Sequence, residues 1–267
     1  LRDKMYLKVL ITISILIIVL LNIYYINFYK IFLIKSNIKV FLINLDYRKD
    51  RLERFKRTYN LKNFKCYLVK AVDAKKIDIK KLKNNNLIGN YGLETLKKTK
   101  RTHHHQFNTM GAIGCYLSHI KTWQEIMKSD CKYGLIFEDD IEFNNNMTED
   151  IICNYIAKLP NDWDILLLSK NRVTMYNINN NLYKVKKFIC LHSYIVNKKS
   201  LPKIIKNITP INQQIDFKLS CLASQNIINV YLFNDLNNKL FYKQYYSNTN
   251  IQTDTIKGAD WNLNCSV

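Results

Sequence analysis

Lys39-Val-Phe-Leu-Ile-Asn44-Leu-Asp46 is a compact apolar run closed by polar residues, the pattern of a buried β-strand. Tyr47 to Asn60, which follows it, is dense in Arg, Lys and Glu, with Leu52 and Phe55 on one side, as an amphipathic helix would be. Cys66-Tyr-Leu-Val-Lys-Ala-Val72 then reads as a second strand ending at Asp73. Strand, helix and strand joined by short connections open an α/β domain with a parallel sheet.

Outward from this unit, residues 75–108 are charged and polar and read as a variable excursion. Gly111 to Lys128 has helical apolar spacing through Ile113, Leu117, Ile120 and Trp123. Gly134-Leu-Ile-Phe137 is a buried strand ended by Glu138-Asp139-Asp140, and Asp162 to Leu168 is another. Tyr194-Ile-Val196, a helix after Lys199, and Asp216-Phe-Lys-Leu219 complete the domain.

The acidic triplet carries the chemistry. In open α/β sheets ligands sit beyond the carboxyl ends of the strands. Adjacent carboxylates repel, and a divalent cation relieves that repulsion. Mn²⁺ or Mg²⁺ takes oxygen ligands and shares its remaining positions with substrate phosphates. Strand alternation sends Glu138 and Asp140 one way and Asp139 the other, a clamp of D-x-D type. A solvated acidic turn is the competing reading.

Composition narrows the field. The chain of 267 residues is 48% hydrophobic and 23% charged, which excludes disorder and a multi-span membrane protein. Its 6 glycines form neither a GxxxxGK[ST] phosphate loop nor a GxGxxG fingerprint. The net charge is +20, and residues 35–101 hold 20 basic against 6 acidic side chains, a net +14. Such a field favours nucleic acid, a membrane surface or a nucleotide diphosphate. The lysines are scattered rather than grouped into a nucleic-acid-binding arm, so no nucleic-acid partner is expected. The 7 cysteines form no CxxC pair and read as free thiols, with one or two disulfides possible in an oxidising compartment.

Val9 to Tyr29 is 21 residues without a charge. As a helix it is about 31 Å long, the thickness of a bilayer's hydrocarbon core. Bulky residues follow it where a cleaved signal would have small ones, so residues 1–36 read as a single-pass membrane anchor with a short basic linker. Residues 37–267 read as the catalytic domain. Flanking lysines and arginines are balanced and leave the orientation open. Asn-x-Ser/Thr sites at Asn146, Asn207 and Asn264 are no more than chance gives in so asparagine-rich a chain.

Several pieces in order resemble glycosyltransferase family 25, which includes lipopolysaccharide-type and procollagen galactosyltransferases. They are Asn44-Leu-Asp46 with Arg48, Arg51 and Arg54; Gly111-Ala-Ile-Gly114-Cys115-Tyr-Leu-Ser118-His119; Leu135-Ile-Phe-Glu-Asp-Asp140; Asp162-Trp-Asp164; and Gln244, Ser247, Ile251 and Gln252. The family usually has Glu where this chain has Ala112. The resemblance implies a GT-A fold with a mixed central sheet. It implies metal-dependent, inverting transfer of galactose or glucose from a UDP-sugar to a glycan or protein hydroxyl.

It also implies roles. Glu138 and Asp140 would hold Mn²⁺ or Mg²⁺, and Asp139 would meet the sugar or ribose. Asn44, Asp46 and Asp73 would meet the nucleotide, although each suits a strand-ending turn as well. Arg48 and Arg51 would bind the diphosphate; Ser118 and His119 would meet a phosphate or the acceptor. His192 is a candidate third metal ligand. Asp216 matches the family's late acidic position and is the candidate general base, with a helix N-cap as the alternative. His103-His104-His105 reads as non-catalytic. An endomembrane lumen in a eukaryote or virus, or the inner membrane in a bacterium, would house such an enzyme. A lectin-like member without activity and a basic nucleic-acid-binding protein are the competing functions.

Overall fold

The computed structural model describes residues 2–143, 146–169, 172–179, 181–234, 242–244 and 265. Helix α1 (Arg2–Ser36) leads without a break into strand β1 (Ile38–Asn44). Helix α2 (Lys49–Thr58) and strand β2 (Cys66–Lys70) complete the first unit. Two short helices follow, α3 (Ile79–Asn84) and α4 (Asn90–Leu96), then the long α5 (Met110–Lys128). Strands β3 (Tyr133–Glu138) and β4 (Ile141–Phe143), helix α6 (Glu149–Lys158) and strand β5 (Ile165–Leu167) come next. A hairpin of β6 (Thr174–Asn179) and β7 (Leu182–Lys187) precedes β8 (Ser193–Asn197). Helices α7 (Leu201–Ile208) and α8 (Ile215–Ser224) and strands β9 (Val230–Phe233) and β10 (Tyr242–Gln244) close the described chain.

The main sheet is mixed, in the order β2-β1-β3-β8-β5-β9-β7-β6, and β4 pairs with β10 in a small second sheet. The β1–β2 and β1–β3 pairs are parallel, as the strand-helix-strand reading predicts, whereas β8 runs antiparallel to β3 and to β5. Alternation along β3 sorts its side chains between two helices. Gly134 faces Ile126 and Glu138 faces His119, both on α5, while Phe137 packs its ring 6.1 Å from Phe55 of α2. Phe137, Trp123 and Tyr194 are fully buried; each such ring contributes about 1.5–3 kcal/mol by leaving water.

Three expectations change. Residues 30–36 continue α1 instead of forming a linker, because Ile34 is buried and Lys30 donates to the Ala157 carbonyl at 2.7 Å. Residues 75–108 are folded against the domain. Phe107 and His105 are buried, and Gln214 donates to the His104 and Gln106 carbonyls just ahead of α8. The plain free-thiol reading gives way at one pair, Cys221 and Cys265, to the disulfide alternative that the sequence left open. Among the described residues Cys66, Cys115, Cys131 and Cys153 keep free thiols.

Candidate active site

The parallel register of β1 and β3 pairs Ile43 with Glu138, so the chain ends beyond them, Asn44 and Asp139, emerge side by side. Asn44 donates to Asp139 Oδ2 at 2.6 Å, and Arg51, one turn into α2, donates to Oδ1 at 2.9 Å. Both oxygens of the buried Asp139 are therefore held by protein groups. Its ion pair with Arg51 fixes α2 to the sheet. Burial raises its carboxyl above the usual range, against the pull of Arg51 and Asn44.

Glu138 faces the opposite side, where α5 packs. His119 Nε2 lies 3.1 Å from Glu138 Oε1, and His119 Nδ1 lies 2.9 Å from the Tyr194 hydroxyl. Trp123 Nε1 meets the same hydroxyl at 2.9 Å. The donors order themselves. The indole only donates, so the Tyr194 oxygen accepts from it and passes its own proton to Nδ1. Nε2 then carries the imidazole proton and donates to Glu138. Burial works against the Glu138 charge, but the His119 bond leads the opposing effects that hold the carboxyl below its ordinary range. His119 is 1% exposed and lies behind Glu138, as a packed core histidine would, the alternative to contact with a phosphate or the acceptor.

Ser118 is likewise an internal tie: its hydroxyl donates to the Gly114 carbonyl at 2.6 Å and accepts from the Val72 amide at 2.8 Å. A side chain at Gly114 would sit 2.7 Å from the Val72 carbonyl, so glycine lets α5 approach the end of β2 this closely. Asp73 caps the 3₁₀ turn Ala74–Lys76 by accepting from the Lys75 amide at 3.0 Å, its turn role. Arg48 donates twice to Asp50, at 2.9 and 2.8 Å, and the exposed Asp46 pairs loosely with Lys49 and Lys70.

Asp216 opens α8, accepting from its neighbour Phe217 at 2.8 Å and from the Cys190 amide at 2.9 Å. Cys190 makes this contact from a left-handed backbone, φ 71°, an uncommon conformation for a residue with a side chain. Burial raises the Asp216 carboxyl against those two amide bonds, and the charge of Glu138 adds to the rise. Burial raises the Cys115 thiol, and the charges of Glu138, Asp216 and Asp140 add to the rise. His192 lies beside them, buried, its carbonyl accepting from the Glu138 amide at 2.9 Å; burial pushes its imidazole down to about 4. It is neutral at pH 7, the form that binds metals. The β4–β10 pairing sets Gln244 opposite Ile141, the residue after Asp140. Ser247, Ile251 and Gln252 lie outside the described residues.

Two donor sets are available to a cation. Cys115 Sγ, His119 Nε2 and a Glu138 oxygen lie within 4.8 Å of one another. The proton on His119 Nε2 and the raised thiol oppose ligation there in this hydrogen-bonding state. Glu138 and Asp140 offer hard oxygen ligands instead, the chemistry Mn²⁺ and Mg²⁺ take. Tyr194, Trp123, Cys115 and Cys190 carry no mark in the sequence that sets them apart from core residues.

A family model described as Glycosyltransferase family 25 (LPS biosynthesis protein) matches residues 37–219. Procollagen galactosyltransferase 2 of Mus musculus is 30% identical over 137 residues, 51% of this chain and 21% of that protein. Inactive glycosyltransferase 25 family member 3 of Homo sapiens is 28% identical over 142 residues, 51% of this chain and 22% of that protein. The matched segment thus spans about a fifth of the length of these relatives. A solved UDP-glucose pyrophosphorylase complexed with UDP-glucose aligns over 78% of this chain and 92% of its own, at 12% identity and a TM-score of 0.39, too slight a likeness to bear on the fold.

Proposed function

Because the chain belongs to glycosyltransferase family 25, we propose that it transfers galactose or glucose from a UDP-sugar to a hydroxyl of a glycan or protein acceptor, with inversion, on a GT-A-like domain. The observation that carries this reading is the placement of Glu138 and the following Asp140 at the carboxyl end of β3, with Cys115 Sγ, His119 Nε2 and a Glu138 oxygen within 4.8 Å of one another. Carboxylates grouped at a strand end suit a cation.

In this reading Glu138 and Asp140 hold Mn²⁺ or Mg²⁺, which when bound neutralises charge on the departing UDP. His119 orients Glu138 and keeps it ionised. Arg51, fixed by Asp139, presents its guanidinium toward the donor diphosphate, and Arg48 lies one turn away. Asp139 therefore serves as a positioning residue acting through Arg51. Asn44, Asp46 and Asp73 border the nucleoside end of the crevice. Asp216 takes the acceptor hydroxyl's proton as that oxygen bonds to the anomeric carbon and the bond to UDP breaks. Helix α1 is long and apolar enough to cross a membrane, and its apolar side chains stand exposed, which supports a single-pass anchor for residues 37–267.

A second reading, a sugar-binding member without turnover, draws on the human relative named inactive. UDP release from a panel of UDP-sugars, with Mn²⁺, with Mg²⁺ and with EDTA, separates the two. Release that needs a cation supports transfer; UDP-sugar binding without release supports the second reading; absence of UDP binding sinks both.

A further inference from the structure

A cavity of about 270 Å³ lies where the end of α1 meets α6 and the start of β3. Lys30, Lys132 and Lys199 line it, and no carboxylate does. Lys30 and Lys199 are steered by single carbonyls, of Ala157 at 2.7 Å and Asn161 at 2.6 Å, which orient an ammonium without neutralising it. Among the described residues Lys132 has no ion-pair partner. Three lysines around one hollow without a carboxylate give it a positive potential, which draws an anion.

The position of the cavity along the chain selects the anion. Lys30 is the first charge after the uncharged run Val9 to Tyr29. The hollow therefore begins where the hydrocarbon of a bilayer would give way to headgroups. One wall is the pair Tyr133 and Trp163, stacked at 5.6 Å, residue types that settle at that level. Leu33, also in the lining, is 42% exposed and continues onto the bare apolar surface of α1. An acyl chain would follow this surface while the phosphate meets the lysines.

We infer that this cavity binds the phosphate-bearing headgroup of an anionic phospholipid and so fixes the catalytic domain against the membrane face. The inference rests on the reading of α1 as a membrane span. A soluble anion would satisfy the same charges but would draw nothing from Leu33 or the exposed face of α1.

The full chain in neutral detergent micelles, titrated with phosphatidylglycerol or phosphatidylcholine and read by native mass spectrometry, tests it. One phosphatidylglycerol should be retained in preference to phosphatidylcholine. Lys132→Ala with Lys199→Ala should weaken that retention about tenfold or more, given what each juxtamembrane lysine contributes. Should the double alanine variant melt early, Lys132→Gln with Lys199→Gln keeps the apolar stems and serves instead. Equal retention by variant and parent overturns the inference. Displacement of the lipid by an equal concentration of inorganic phosphate also overturns it, in favour of a soluble anion. Alkaline carbonate extraction of membranes tests the span separately: a protein washed off would sink the α1 reading whatever the micelle titration shows.

Discussion

His119 donates from Nε2 to the Glu138 carboxylate across 3.1 Å, with both side chains in the interface between α5 and β3. The bond favours ionised Glu138, whose folded-state carboxyl lies below its unfolded value. The stabilisation is therefore present above the ordinary carboxylate range and is lost as pH falls through the folded value. His119→Phe should cost about 1–3 kcal/mol at pH 7, the order expected for losing a partner of a buried charged group. The gap from the parent should narrow in acid only as pH falls through the folded Glu138 value, below the ordinary carboxylate range. Urea denaturation at pH 7 and in acid measures it; a gap that stays constant with pH would assign the loss to packing alone.

Behind that histidine, the Tyr194 hydroxyl accepts from Trp123 Nε1 and donates to His119 Nδ1, all three side chains being buried. Tyr194→Phe strands both neighbours at once. A loss of about 2–4 kcal/mol follows if each unsatisfied group costs the usual amount. Trp123→Phe alongside it removes one stranded donor, so the double variant should lose less than the sum of the singles. Additive losses would show that the chain of three is not one unit.

Arg51 and Arg48 separate cleanly. Arg51 pairs with the buried Asp139, whereas Arg48 pairs with the exposed Asp50. Arg51→Ala leaves a buried carboxylate without its cation and should destabilise by about 3–5 kcal/mol, with much of that restored by adding Asp139→Asn. Arg48→Ala should change stability by about 1 kcal/mol or less. Thermal melts of the four proteins check this. An Arg51→Ala protein as stable as the parent would leave Asp139 without the role assigned to it.

What was legible in the sequence followed from periodicity. Two apolar runs became β1 and β3 because continuous Val, Ile, Leu and Phe mark strands covered on both faces, and the period of two split Glu138 from Asp139 correctly. The hairpin of β6 and β7 was not legible, because β6 is mostly exposed and reads Thr-Met-Tyr-Asn-Ile-Asn, with no apolar face to announce it. Nor was the partner of His119: Tyr194 lies 75 residues away and is brought near only by the pairing of β8 with β3. Ser118, expected at the donor, is engaged in hydrogen bonds between elements. Gly114 and Ser118, one helical turn apart, both serve the contact with Val72, and spacing alone does not tell such a tie from a ligand.

Asp216 offers the sharpest test, since its two expected effects have opposite sign. Burial and the nearby charge of Glu138 raise its carboxyl, so its ionised form works against folding. That penalty is present above the folded value and is relieved as pH falls through it, the reverse of the Glu138 case. Asp216→Asn keeps an oxygen for the Cys190 or Phe217 amide and removes the charge, so the variant should be at least as stable as the parent at pH 7. On acidification the parent should close that difference. Turnover moves the other way. Without a proton acceptor the acceptor hydroxyl attacks poorly, and UDP release should fall by about 10²–10⁴-fold, with UDP-sugar affinity little changed. Stability gained with activity lost is the signature of a group kept for chemistry at the expense of the fold. The N-cap reading does not hold, since Gln214 is the N-cap residue of α8 and Asp216 lies within its first turn; activity near the parent's in Asp216→Asn would leave this carboxylate as a tie to the Cys190 amide.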